Sequence, residues 1–208
     1  MIFQALDDKS ECIGIYADGK LSFDSFPENL TKTWRHSASI TDPSVEYAWI
    51  RAGGRNIADC CPEDLCNELQ AAQRKMKAYL KSFTIAKVNM MDHCIFDLIP
   101  HDFLVRFCEI KNKITEHVFE SFEQPENYEH LNSVYKLLHK IRYQRLNLSG
   151  EDCKQLFYSS MNRQKIQELM KNYKTIDYNM FGTITGRLTT HPESFPMLTL
   201  KKELRRII

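Results

Sequence analysis

The sequence lacks the patterns by which several classes of protein are recognised. It has no apolar run near the roughly 20 residues that a membrane-spanning helix needs, and we expect no signal peptide at its amino terminus. Its seven cysteines are an odd number and include no Cys-x-x-Cys pair, the spacing typical of a structural zinc site. These absences predict a reduced, cytoplasmic protein without a membrane partner and without a bound metal or other cofactor.

Two catalytic patterns are also missing. No Asp-x-Glu occurs in the chain, although a proofreading exonuclease usually places that pair in an early strand to bind two metal ions. Residues 14–21 approach the phosphate-binding loop of nucleotide hydrolases, but Leu21 stands where that loop needs a hydroxyl for magnesium. The sequence therefore argues against a metal-dependent nuclease and against a nucleotide hydrolase.

Charge is divided unevenly along the chain, although the formal net charge is only +1. Residues 1–60 carry 6 basic and 9 acidic side chains, residues 61–132 carry 8 and 12, and residues 133–208 carry 14 and 6. The last third thus has a net charge of +8, which is typical of a chain whose carboxyl-terminal part faces a polyanion. An ordinary solvated basic surface is the open alternative.

The hydrophobic pattern predicts an α+β protein that begins with a small β-rich unit at residues 1–61. Short apolar runs flank the Asp18-Gly19 corner, which is a typical hairpin signal. Residues 45–50 predict a further strand, and Gly53-Gly54 is expected to end it.

Helices dominate the prediction for residues 62–208. Apolar residues three and four positions apart predict long helices after Pro62, Pro100 and Pro125. Shorter helical segments are predicted at residues 151–160 and 163–172. These apolar stripes are most simply the core-facing sides of packed helices.

The predicted helix after Pro125 has a basic outer face. Lys136, Lys140 and Tyr143 share one side of it, and Arg142 and Arg145 lie nearby in the sequence. Cations at helical spacing can neutralise successive phosphates, and each such contact adds salt-dependent affinity. We therefore take Lys136 and Lys140 as candidate DNA contacts, with a solvated helix face as the alternative.

The most specific pattern lies between residues 175 and 190. Extended residues there predict a carboxyl-terminal β-hairpin, in which Gly186 permits a sharp turn directly before Arg187. An arginine can reach the minor groove, where every base pair offers an acceptor, and the hydroxyls of Thr189 and Thr190 can hold a phosphate. The pattern predicts sequence-independent contact with a duplex; the alternative is a hairpin whose arginine pairs with a carboxylate.

Three segments resemble family-A (polymerase-I-like) DNA polymerases of bacterial viruses in order and spacing. They are Thr-Gly-Arg-Leu-Thr-Thr at 185–190, Pro-Met-Leu at 196–198 and Lys-Lys-Glu-Leu-Arg-Arg-Ile-Ile at 201–208. The amino-terminal hairpin and residues 111–120 also look like that viral group. The resemblance implies a degenerate exonuclease-like unit, a helical thumb after Pro100 and the start of a palm.

The resemblance also implies roles for individual residues. Arg187 matches the position that contacts the primer end in the minor groove, and Thr189 and Thr190 match hydroxyl residues that touch the DNA backbone. Arg205 and Arg206 match a basic pair just ahead of the palm strand.

The palm aspartates that bind magnesium and the fingers helix would lie beyond Ile208. We therefore expect a protein that binds primer–template DNA in the host cell cytoplasm and catalyses no nucleotidyl transfer alone. The chain is then either an incomplete gene product or one half of a split enzyme. In the second case its partner is a separate carboxyl-terminal polymerase half, and magnesium enters with the palm of that half. The alternative is a non-enzymatic helical protein that binds nucleic acid or another protein. We also expect Ile207 and Ile208 to have nothing to pack against.

Overall fold

The computed structural model combines helices with two small antiparallel sheets, which agrees with the predicted α+β class. Its contacts group the chain into two compact units, Met1–Tyr128 and Glu129–Ile208. The structure describes residues 2–6, 13–23, 40–41, 45, 48–90, 92–142, 144–192 and 194–208.

The first unit contains a three-stranded antiparallel sheet. Its strands are β1 (Phe3–Leu6), β2 (Ile13–Ala17) and β3 (Lys20–Ser22), in that spatial order. Asp18 and Gly19 take positive φ values of 47° and 77°, as the two central residues of a tight hairpin turn require. The predicted amino-terminal hairpin is therefore confirmed.

Three helices pack with this sheet in the core of the first unit. They are α1 (Cys66–Ile85), α2 (Ile95–Leu98) and α3 (His101–Ser121). The predicted apolar face of α3 is buried along its whole length, through Phe103, Phe107, Ile110, Ile114 and Val118. The helices predicted after Pro62 and Pro100 are confirmed.

The predicted strand at residues 45–50 is wrong for the residues that the structure describes there. The amide of Ala48 donates to the carbonyl of Val45 at 3.1 Å, and that of Ala52 donates to Ala48 at 2.9 Å, so this part of the chain winds through turns. The winding places Arg51 so that its guanidinium donates to the Phe119 carbonyl at 2.8 Å. Carbonyls at the end of a helix need such partners, and this long-range demand overrides the local strand propensity.

Packing groups the amino-terminal residues with the helices that follow them. Side chains of β2 and β3 share one buried cluster with α1 and α3. The contacts divide the chain after Tyr128, and the division at residue 61, which follows the change in local composition, stays a prediction.

The second unit is built from helices and one short hairpin. Its elements are α4 (Tyr128–Arg142, beginning at the boundary), a 3-10 helix (Glu151–Leu156), α5 (Ser160–Asn172), β4 (Tyr178–Asn179), β5 (Thr189–Thr190) and a second 3-10 helix (Lys202–Ile207). Their buried side chains form a separate core: Cys153, Ile166, Leu169, Ile176, Phe195, Leu200, Leu204 and Ile207.

The end of the chain is packed into this core. Ile207 is fully buried beside Leu204, and its carbonyl accepts a hydrogen bond from the Ser149 amide at 2.7 Å. The expectation that Ile207 has nothing to pack against is wrong, because the 3-10 helix turns it inward. Ile208 remains half-exposed.

The buried face of α3 makes a direct stability prediction. Ile114→Ala should lower the free energy of unfolding by about 2–5 kcal/mol, because Ile114 is fully buried. Ile85→Ala deletes the same atoms at a residue that is 71% exposed, and should stay within about 0.5 kcal/mol of wild type. Both tryptophans, at positions 34 and 49, belong to the first unit, so urea unfolding followed by tryptophan fluorescence measures it. Equal losses in the two variants would contradict this account of the core.

Candidate nucleic-acid interface

A short hairpin in the second unit carries the predicted DNA-contacting turn. Strands β4 and β5 pair antiparallel, with Tyr178 opposite Thr190 and Asn179 opposite Thr189. The carboxyl-terminal β-hairpin predicted from the sequence is therefore present. At the start of the intervening loop, the Asn179 side chain accepts a hydrogen bond from the Phe181 amide at 2.9 Å.

The hydroxyl of Thr183 closes the turn that precedes Arg187. It accepts a hydrogen bond from the Arg187 amide at 2.9 Å and lies 3.0 Å from the Arg187 carbonyl, to which it donates. The Gly186 amide donates to the Thr183 carbonyl at 3.3 Å, and Gly186 has a φ of 71°. A side chain at Gly186 would be strained in this left-handed conformation, so residue type and geometry agree. We call residues 183–187 the arginine turn.

The side chain of Thr189 supports the hairpin from inside. It lies against the backbone of Gly182, where an added Cβ would collide with its hydroxyl and methyl groups. Thr189 and Thr190 are both half-buried on β5. Thr189 thus has a packing role in this structure, and the predicted contacts of both hydroxyls with the DNA backbone stay predictions.

Arg187 itself is exposed at the end of the arginine turn. In the part of the chain that the structure describes, no carboxylate forms an ion pair with it. Ile184, at the tip of the same turn, is fully exposed.

Lys136 and Lys140 lie one helical turn apart on α4, and side chains at that spacing share a face. Neither has a carboxylate partner within the described residues. Arg142 differs, because its Nε lies 3.2 Å from a carboxylate oxygen of Asp177 and ties the end of α4 to the residue before β4. Tyr143, predicted on the same face as the lysines, lies outside the described residues.

Arg205 and Arg206, the basic pair near the end of the chain, differ in their contacts. The Nε of Arg205 donates to the Leu200 carbonyl at 3.0 Å, so this guanidinium holds the preceding turn. Arg206 is exposed. Burial raises the pKa of the Cys153 thiol, and the positive charge of Arg206 acts on that pKa in the opposite direction. Of the two, Arg206 is the one whose guanidinium makes no hydrogen bond to a carbonyl among the described residues.

Several groups that shape the interface were not predicted from the sequence. Thr183 stands four residues before Arg187, a spacing that places its hydroxyl beside the arginine backbone and could have indicated a side-chain cap. Ser194 is buried, and its hydroxyl accepts a hydrogen bond from the Asp177 amide. This bond joins distant segments and leaves no local sequence signal.

Neither a metal-binding group nor a membrane-spanning helix is found among the described residues. No group of three or more His, Cys, Asp or Glu side chains there is arranged to hold a metal ion. Burial, and then the hydrogen bond with Cys66, raises the pKa of the Cys61 thiol to about 12, so that thiol stays protonated at neutral pH. None of the described helices has the length and apolar composition that crossing a membrane requires.

Comparison with known proteins assigns no family to the chain. No protein-family model matches it, and neither the curated proteins nor the solved structures give a match.

The Thr183 hydrogen bonds make a local prediction. Thr183→Val keeps the shape of the side chain but removes its hydroxyl, so the bond that protects the Arg187 amide is lost. A hydrogen bond of this kind contributes about 1 kcal/mol, and the Arg187 amide should exchange with solvent about fivefold faster in NMR hydrogen-exchange measurements.

Thr183→Ser is the matched control, because it retains the hydroxyl and should exchange at nearly the wild-type rate. An unchanged Arg187 exchange rate in Thr183→Val would show that another group holds the turn.

Proposed function

We propose that this chain supplies primer–template DNA binding to a family-A DNA polymerase of the bacterial-virus type. The observation that carries the proposal is the arginine turn, where a left-handed glycine and the Thr183 hydroxyl hold the backbone of an exposed Arg187, which has no carboxylate partner among the described residues. An exposed guanidinium on a fixed backbone suits the acceptors that every base pair presents in the minor groove. A polymerase needs such contact because it must hold every correct primer end equally.

Charge in the second unit supports a polyanionic ligand. Residues 129–208 contain 14 Lys and Arg against 7 Asp and Glu, and cations of this excess attract DNA by releasing its bound counterions. Lys136 and Lys140 are proposed to contact phosphates, and Arg206 to contribute from the carboxyl-terminal 3-10 helix. Arg205, engaged with a backbone carbonyl, has a positioning role at most.

Under this proposal the helices after Pro100 belong to the thumb, and residues 1–61 descend from an exonuclease-like unit. Nucleotidyl transfer in that family requires palm aspartates and their magnesium ions, which under this proposal a carboxyl-terminal polymerase half supplies. The chain alone is expected to bind primer–template DNA without extending it, and a primer-extension assay with and without a carboxyl-terminal polymerase half checks this.

The DNA-binding proposal predicts two different mutational effects. Arg187→Ala should weaken binding of a primer–template duplex about tenfold or more, because a hydrogen bond to a charged group contributes about 1.5–3 kcal/mol. Lys136→Ala and Lys140→Ala should each make the slope of log K against log salt less negative by roughly 0.9. Fluorescence anisotropy of a labelled primer–template, titrated at several salt concentrations, measures both quantities.

Matched controls come from cations that already have partners. Lys154 and Lys165 lie 3.0 Å from carboxylate oxygens of Glu151 and Glu168, so Lys154→Ala and Lys165→Ala should change the slope less. The proposed function would be overturned by a primer–template affinity that does not change with salt concentration. It would also be overturned if the affinity stayed unchanged when Arg187, Lys136 and Lys140 were all replaced by alanine.

A further inference from the structure

A second candidate site lies in the same unit, on residues that the polymerase resemblance does not assign. An open groove of about 410 Å³ is formed where the first 3-10 helix meets the beginning of α5. Ligand-binding clefts commonly enclose roughly 300–1,000 Å³, so this groove can accommodate a small organic group. We call it the aromatic groove; it is lined by Phe157, Tyr158, Ser160, Arg163, Gln164 and Gln167.

The local sequence determines one wall of the aromatic groove. The hydroxyl of Ser159 accepts a hydrogen bond from the Asn162 amide at 3.4 Å and begins α5. Residues 160, 163, 164 and 167 then recur at helical spacing, so their polar side chains share one face. The opposite side of α5 carries Ile166 and Leu169, both buried in the core of the second unit. The wall is therefore rigid and faces outward.

Exposed aromatic rings form the rest of the groove. Tyr158 is 85% exposed and Phe157 is 36% exposed. Two exposed rings that are adjacent in the chain are more than the isolated apolar residue that surfaces usually show. Two such rings side by side form an exposed apolar surface of the kind that binds ligands.

The charges around the groove indicate which ligand it suits. Lys154 pairs with Glu151 and Lys165 with Glu168, whereas Arg163 has no carboxylate partner within the described residues. The lining includes no carboxylate among those residues, and the whole unit has a surplus of cations. The groove therefore suits an anionic ligand better than a basic peptide, because a basic peptide would need carboxylates in the lining.

We infer that the aromatic groove binds an unpaired nucleotide of a single strand, with Tyr158 stacked on the base and Arg163 at a neighbouring phosphate. Aromatic rings beside cations are the usual means of holding single strands without reading their sequence. Gln164 and Gln167 add donors and acceptors for a base edge. The inference rests on the proposed nucleic-acid function, and extends it from duplex contact at the arginine turn to single-strand contact at another set of residues.

The test compares three labelled or competing ligands by fluorescence anisotropy: a twelve-residue oligothymidylate, a blunt duplex of equal length, and free thymidine monophosphate as competitor. Tyr158→Ala should weaken oligothymidylate binding at least about fivefold, the lower end of a stacking contribution, and change duplex binding less than twofold. Because Tyr158 is largely exposed, this variant is expected to fold. Tyr158→Phe keeps the ring and should bind like wild type.

Arg163→Gln should make the single-strand salt slope less negative by roughly 0.7, and Lys165→Gln, which removes an already paired cation, should not. Oligothymidylate binding that is unchanged in Tyr158→Ala would overturn the inference. Free nucleotide competing as well as the oligomer on a per-nucleotide basis would also overturn it, in favour of a mononucleotide site. Failure of the proposed function would be seen in a different measurement. Arg187→Ala would then bind the duplex like wild type, whatever the Tyr158 and Arg163 variants show.

Discussion

The hydrogen bonds between the Thr183 hydroxyl and the Arg187 backbone are the contacts on which the candidate interface depends. A glycine in the left-handed region makes the turn possible, but glycine alone leaves the backbone free to adopt many conformations. The hydroxyl selects one of them, and Thr189, packed against Gly182, supports the base of the same hairpin. The exposed guanidinium is thereby held on a defined backbone, which is the condition for an arginine to recognise a groove.

A second constraint is which of the cations in the second unit are already paired with other groups of the protein. Arg142 pairs with Asp177, and Arg205 is bonded to the Leu200 carbonyl, so both stabilise the fold around the hairpin. Arg187, Lys136 and Lys140 have no such partners among the described residues. Exposed ion pairs contribute little to stability, so pairing matters here mainly because it determines which positive charges remain for a polyanion.

The parts of the fold that could be predicted are those that local patterns determine. The apolar face of α3 follows from helical spacing, and the Asp18-Gly19 turn follows from the conformations that those two residues tolerate. Residues 45–50 could not be assigned correctly, because the position of Arg51 depends on carbonyls of α3 some seventy residues away. The Ile207 carbonyl likewise accepts a hydrogen bond from a distant residue, Ser149, which no local pattern indicates.

The candidate site shows the same division between local and distant causes. Gly186, Arg187 and the two threonines of β5 were identifiable from residue type and order alone. The hydrogen bonds of the Thr183 hydroxyl could also have been predicted from the sequence, because Thr183 lies only four residues before Arg187. The bond from the Asp177 amide to Ser194 and the exposure of Tyr158 were not accessible, because both result from how separate segments pack.

In the proposed complex, Arg187 contacts an acceptor in the minor groove at the primer end. Replacing the terminal primer adenine by 3-deazaadenine removes the minor-groove N3 acceptor and keeps the base pair. We expect wild-type protein to lose about tenfold or more in affinity for the modified primer–template, and Arg187→Ala to bind both DNAs equally. A 7-deazaadenine primer, altered only in the major groove, should bind wild-type protein normally. Equal affinity of the wild-type protein for the modified and unmodified primer ends would contradict the claim.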